Sequence, residues 1–331
     1  IINLAQDFIG SNNANLLQPI GQFGSRLLGG KDHSSARYIF TKLSKIVKYI
    51  IRKEDNGILD YMYDDGFKIE PTVYYPIVPL ILINGAEGIG TGFSTFIPNY
   101  DIFDIIEVLT DKLNNNKSKK LIPSYNNFKG SITRLDHDTY LSRGIYEITD
   151  NKLHISELPV KVWTTPYKAY LEDMIYSGSE LFSSINNQSS EKEILFILKI
   201  KDIDKINSLL KTKDKNGING LEKLLGLTKT IKISNMHAFG TDFTIKKYSS
   251  IRKIIDEFYT IRLEKYKERK KFLLKQLKEE LSINESKMNW LSMILNNKID
   301  LRKLKQQDII NTLTKKKLVM KNDSYDYLLN M

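Results

Sequence analysis

Cysteine is absent from the 331 residues, histidine occurs four times and tryptophan twice. Without thiols there are no disulfide staples and no thiolate metal sites. With so few histidines, and with no HExxH run, Cys/His ligand cluster or EF-hand loop, metal-ligand and histidine-triad chemistry has little material. No apolar run is long enough to span a bilayer, and the start has no secretion-type order of charged, apolar and small residues. An intracellular place, cytoplasm or nucleus, is the expectation.

What is present points to a large basic protein. The length predicts two or three domains with ample apolar residues to bury. Fifty Lys and Arg against 39 Asp and Glu leave a formal charge of +11, which suits a polyanionic partner as well as it suits a solvated basic surface. The first residues, "IINLAQDFIGSNNANLLQPI", have no initiator methionine, and a piece of a longer protein is the expectation.

Apolar spacing then sorts the chain. Ile39, Leu43, Ile46, Val47 and Ile50, behind serines able to cap a first turn, predict a helix over 34–52 with Tyr38 in its first turn or just before it. Residues 76–100 are an apolar run broken by prolines and ending in a glycine-rich loop. Beyond it "KGSITRL", "TYLSRGIYEIT", "KLHISELP" and "EILFILKI" predict strands, with a helical patch over 166–176, so the middle of the chain is α+β. "LNNNKSKK", "SSINNQSSEKE" and "KTKDKNGING" are surface loops by composition. From Ser250 to about Leu295 the pattern is one long charged helix. Tyr259, Leu263, Tyr266, Leu273, Leu277 and Leu281 form a narrow seam that needs a partner helix, from a second copy of the chain or from sequence beyond Met331.

The glycine loop Gly85, Gly88, Gly90, Gly92 invites a nucleotide-binding reading and fails on spacing. Phe93 and Thr95 stand where a dinucleotide fingerprint needs its third glycine, and Thr91 where a phosphate loop needs lysine. Ile89 between two glycines is either a core residue, the commoner case by spacing alone, or an apolar tip able to wedge between base steps.

Three segments, "NLLQPIGQFGSRLLGGKDHSSARYIFT", "LINGAEGIGTGFSTFIPNYD" and "ISELPVKVWTTPYK", resemble the DNA breakage and reunion core of eukaryotic-type type IIA DNA topoisomerases. The resemblance implies that Tyr38 is the nucleophile that attacks a backbone phosphorus and forms a 5′-phosphotyrosyl link. A phenol, with a pKa of about 10, is a better leaving group than an alkoxide, so the 3′-hydroxyl can reseal the strand. Arg37 is implied to steady charge on the phosphoryl oxygens. Gln22, Arg26 and Lys31 are implied to contact the DNA backbone, with Gly24, Gly29 and Gly30 letting it approach. Ile89 is implied to intercalate and bend the duplex, and Lys229 and Lys232 to touch its arm.

The domains implied are a winged-helix part with the catalytic tyrosine (1–68), an α/β tower (69–245), a coiled-coil helix (246–298) and the start of a helical exit gate (299–331), so the fold class is multidomain α+β. Mg²⁺ and ATP serve the full enzyme, but the acidic Mg²⁺-binding pattern and the ATP-binding gate are not in this chain, and no metal residue is assigned in it. The partners implied are double-stranded DNA and a second copy of the chain, with no membrane. Lys, Ile and Asn richness, with Ala36 where cellular members usually carry proline, is expected of a viral member such as that of African swine fever virus. The nucleus is the expected place for a cellular member and the host cytoplasm for a viral one. Two other classes stand beside this reading: a DNA-binding and dimerisation module without independent catalysis, and a nucleotide-using α/β enzyme.

Overall fold

The computed structural model describes residues 1–296, 298, 299 and 305–330. Contacts divide the chain into two units, Ile1–Arg52 with Pro76–Ile261, and Lys53–Tyr75 with Arg262–Met331. Both helices and antiparallel strands are abundant, as an α+β chain requires.

In the first unit a four-stranded antiparallel sheet has the spatial order Ile145–Thr149, Lys152–Glu157, Phe196–Ile200, Phe182–Asn187. Alternation decides which face is buried: Leu153 and Ile155, Phe196 and Leu198 point inward against Tyr167 and Leu171 of helix Thr164–Tyr176 and Ile206 of helix Ile203–Lys211. Strand Phe182–Asn187 begins one residue before "SSINNQSSEKE" and takes in the first five residues of that expected loop; Phe182 is fully buried and its pairing with Phe196–Ile200 draws the polar residues after it into the sheet edge. A three-stranded sheet, Thr228–Lys232, Thr139–Arg143, Ser131–Arg134, stands beside it in the chain path, and Gly144 separates the strands that "TYLSRGIYEIT" contains.

A second core gathers Leu82, Ile83, Ile97, Tyr100 and Ile105. Ile105 belongs to helix Ile102–Leu113, whose first turn is capped by Asp101, its carboxylate accepting from the N–H groups of Phe103 at 2.8 Å and Asp104 at 3.1 Å. The apolar run 76–100 resolves into a helical turn, Leu80–Ile83, and a hairpin, Ala86–Ile89 with Ser94–Ile97.

The helix expected over 34–52 does not form. Residues 34–44 pair instead with residues 16–22, only Val47–Ile50 is α-helical there, and Leu43 of the supposed stripe is exposed. The segment is rich in β-branched and aromatic residues, and cross-strand partners supplied by the tertiary fold override a weak helical periodicity.

The second unit contains most of the long helix Ile251–Leu295, which has the expected bounds. Buried Asp55 pairs with Arg262 at 2.8 Å and Arg269 at 3.2 Å on that helix. Trp290 is fully buried with Ile309, Leu313 and Leu328, its indole N–H donating to the Leu328 carbonyl at 3.0 Å. Of the expected seam, Tyr266, Leu277 and Leu281 remain exposed, whereas Tyr259, Leu263 and Leu273 are half-buried. Residues 300–304 and 331 of the expected exit-gate start lie outside the described residues.

Candidate functional site

Tyr38 owes its place to backbone pairing. Ser44 donates to the Leu16 carbonyl (2.9 Å) and Gln18 to Lys42 (2.9 Å), Ile20 and Phe40 exchange both bonds (3.2 and 2.9 Å), and Ser34 donates to Gln22 (2.9 Å). Between the last two rungs one strand has only Gly21, whereas the other has residues 35–39. The surplus is thrown out of the ladder as a 3₁₀ turn, Ala36–Tyr38, closed by the Tyr38 N–H on the Ser35 carbonyl at 2.9 Å. Gly21 has φ +107°, and a Cβ there would lie 3.1 Å from the Ile39 side chain. Tyr38 is 68% exposed, and the Arg37 guanidinium lies 5.3 Å from the centre of its ring. Among the described residues Arg37 has no carboxylate partner, and the Tyr38 hydroxyl makes no hydrogen bond. The turn thus presents a phenol and a permanent cation together, both free to meet a phosphodiester.

The loop closing this ladder, residues 23–33, is braced from within. Ser25 donates its N–H (2.9 Å) and its hydroxyl to the Asp32 carboxylate. Burial of Asp32 disfavours its charge, but these two bonds, with its own backbone N–H and His33, outweigh that and hold the carboxyl below its ordinary value. Gln6 reaches in to the carbonyls of Phe23 at 3.0 Å and Gly30 at 3.3 Å.

Arg26 departs from its expected role. It is 3% exposed, its guanidinium pairs with buried Glu157 and donates to the Leu158 carbonyl at 3.0 Å, so it faces the protein interior and offers nothing to a phosphate. Glu157 is saturated in turn, accepting from the N–H groups of Leu158 at 2.9 Å and Lys129 at 3.1 Å. Sequence reasoning read Arg26 as surface and gave Glu157 no role. The usable signal was an acid in "SELP", just ahead of a rigid Leu-Pro.

The glycines of this loop also face protein rather than an open surface. A Cβ on Gly24 would sit 2.6 Å from Gly30, and one on Gly30 would sit 2.3 Å from Gln6. Gly29, at φ +65°, lies under Trp163, whose ring would be 2.3 Å from a Cβ and which also packs edge-on against Phe8 at 5.9 Å. Gly29→Ala is expected to cost roughly 2–4 kcal/mol through combined backbone strain and overpacking, visible as a lower denaturation midpoint. An unchanged midpoint would show that Trp163 swings aside.

Of the other expected contacts, Lys31 is exposed in the same loop and Gln22 is half-buried at the ladder's last rung. Ile89 stands at the end of its strand and is 94% exposed, which removes the core reading that spacing alone favoured. Glu87, two residues before it, pairs with Lys161, whose carbonyl accepts from Lys229 at 2.9 Å. Lys229 is thereby tied toward the Ile89 hairpin; burial and the neighbouring Lys161 charge lower its ammonium pKa. Lys232 is exposed on the same strand. Among the described residues no group of three His, Asp or Glu side chains is placed to hold a metal, and no helix is long and apolar enough to cross a membrane.

The A-subunit family model of DNA gyrase/topoisomerase IV matches residues 1–331, the whole chain that carries the Arg37–Tyr38 turn and the Ile89 hairpin. The chain belongs to this family. Within it the chain is similar to eukaryotic members: 40% identical over 322 residues to DNA topoisomerase 2 of Arabidopsis thaliana, covering 96% of this chain and 21% of that protein. It is 36% identical to DNA topoisomerase 2-alpha of Mus musculus, covering 95% of the chain and 20% of the relative. A crystal structure of the Plasmodium falciparum topoisomerase II DNA-binding, cleavage and re-ligation domain superposes with a TM-score of 0.85 at 37% identity, over 100% of this chain and 48% of that one. The chain thus spans about a fifth of the curated relatives it matches. The likeness to the cleavage-domain structure accounts for the α+β architecture and the long helix.

Proposed function

We propose that the chain is the DNA-gate part of a homodimeric type IIA DNA topoisomerase. The observation that carries this is the Arg37–Tyr38 turn, a solvent-facing phenol beside an unpaired guanidinium, held by a backbone ladder in a chain similar to topoisomerases 2 over 96% of its length.

The Tyr38 oxygen attacks a backbone phosphorus, forming a new P–O bond while the bond to the deoxyribose 3′-oxygen breaks. The phenol loses its proton and the 3′-oxygen ends as a hydroxyl. One phosphodiester has replaced another, so the same steps reversed reseal the strand without added energy. Arg37 offers fixed positive charge to the equatorial oxygens where negative charge builds. Two copies of Tyr38, one from each protomer, cut the two strands; a second duplex passes, and both strands close. Ile89, exposed at a hairpin end, is suited to wedge between base steps and bend the cut segment, a deformation of about 1–6 kcal/mol recovered through wider contact. Lys31, Lys229 and Lys232 supply phosphate contacts in this reading, and Gln22 approaches the backbone near the cut.

The four parts implied by the resemblance, winged-helix remainder, tower, coiled-coil strand and exit-gate start, are the organisation proposed. ATP would drive strand passage and Mg²⁺ would support cleavage from parts of the enzyme outside this chain. Work on DNA places the enzyme inside the cell, in the nucleus for a cellular member. The finer assignment to a viral member rests on composition and on Ala36 alone.

The test uses full-length protein, Mg²⁺ and a duplex labelled at one end or the other, stopped with denaturant. Label on the 3′ side of the cut should migrate with the polypeptide and label on the 5′ side should run free, with the modified peptide containing Tyr38. Adduct on the opposite side of the cut, or none despite tight binding, would refute the mechanism.

A further inference from the structure

A second hairpin, Met236–Phe239 with Ile245–Tyr248, is locked against the one that carries Ile89. The Phe96 N–H donates to the Asn235 carbonyl at 2.8 Å, the Asn235 amide donates to the Ser94 hydroxyl at 2.6 Å, and Thr95 and His237 exchange bonds at 2.7 and 3.0 Å. The pairing runs antiparallel, so both turns project at the same end. Between them lies a cleft of about 430 Å³, walled by Ile89, Phe93, Ala238, Phe239 and Ile245, with His237 beside them and no Lys, Arg, Asp or Glu.

Two aromatic rings stand out of the second tip, beside exposed Thr241 and Asp242. Phe239 is 69% exposed and Phe243 63%, and Phe243 holds φ at +59°, a region that bulky side chains rarely enter. The turn enforces it: Phe243 donates to the Gly240 carbonyl at 3.1 Å, Gly240 to Thr244 at 2.9 Å, and the Asp242 carboxylate accepts the Thr244 N–H at 3.1 Å. A strained backbone that thrusts an aromatic ring into solvent is a feature kept for contact. Lys247, exposed on the return strand, adds positive charge behind the tip.

We propose that this second hairpin is part of the bending device: Phe239 and Phe243 lie against the sugar and base edges next to the step that Ile89 opens, and the cleft seats the displaced edge. The proposal rests on the DNA-gate reading above. Bases and deoxyriboses offer apolar faces once unstacked, and a mainly apolar cleft flanked by a lysine matches such an edge and the phosphate beyond it. The cleft is continuous with Ile89, so one duplex would cover both tips.

The test measures, on full-length protein, affinity for a nicked duplex and its bend by energy transfer between end labels. Wild type is compared with Ile89→Ala, with Phe239→Ala/Phe243→Ala, and with Phe243→Gly. The double variant should lose affinity on the order of tenfold, the value of a stacked aromatic, and bend the duplex less. Phe243→Gly removes the strained side chain and should melt no lower than wild type, so its loss of bending would be a loss of contact and not of fold. Normal affinity and bending in both phenylalanine variants, with Ile89→Ala impaired, would overturn this inference alone. Normal behaviour of Ile89→Ala as well would remove the wedge reading beneath it. Loss of self-association with bending intact would overturn it too, by showing that the tip meets protein.

Discussion

Tyr38→Phe is expected to lower DNA cleavage by roughly 10³- to 10⁶-fold, because the substitution deletes the attacking oxygen and nothing else. The ring is exposed and its hydroxyl bonds to nothing in the described protein, so stability should stay within about 0.5 kcal/mol of wild type. DNA affinity and its salt dependence should also be unchanged. Exposure alone does not single out this residue, since Tyr49 is 57% and Tyr63 68% exposed; Tyr38 is distinguished by the adjoining Arg37 and the turn that holds both. Quench assays on a labelled duplex would measure the rate. An adduct that persists in Tyr38→Phe would move the chemistry to another tyrosine and dissolve the assignment of Arg37 with it.

The second large effect lies where no chemistry occurs. Arg26→Ala should destabilise the protein by about 3–5 kcal/mol, because it leaves Glu157 charged and buried without its cation. In a unit of this size that corresponds to a melting temperature lower by roughly 6–20 °C. Replacing both partners with methionine should recover much of the loss, since two apolar chains of similar volume need no pairing. A phosphate contact would behave in the opposite way: Arg26→Ala would reduce the salt slope of DNA binding by about one and leave melting alone. Scanning calorimetry beside a salt titration separates the two outcomes.

Long elements were legible because their signals are long. The helix Ile251–Leu295 repeats its pattern over many turns, and strands such as Lys152–Glu157 alternate cleanly. The helix expected over 34–52 failed because its apolar spacing is equally that of a twisted ladder, and the deciding partners, residues 16–22, carry no local mark. Tyr38 and Arg37 were singled out through the family motif and not through spacing. Ile89 was ambiguous until its exposure was known. Arg26 was misplaced because a lone arginine in a glycine-rich loop looks like a surface cation, and its counter-charge lies 131 positions away. Phe239 and Phe243 left no trace, since a turn that forces a phenylalanine to positive φ looks in sequence like any polar hairpin.

The bonds that seat the tyrosine turn join main-chain amides and carbonyls, groups that every residue except proline supplies in full. Substitution at Ser35, Ala36 or Phe40 therefore changes what surrounds the Tyr38 hydroxyl without changing where the hydroxyl is. Such positions are open to drift. An inhibitor of the proposed cleavage that binds by gripping them would meet resistance early, whereas one that grips Arg37 would leave fewer routes of escape.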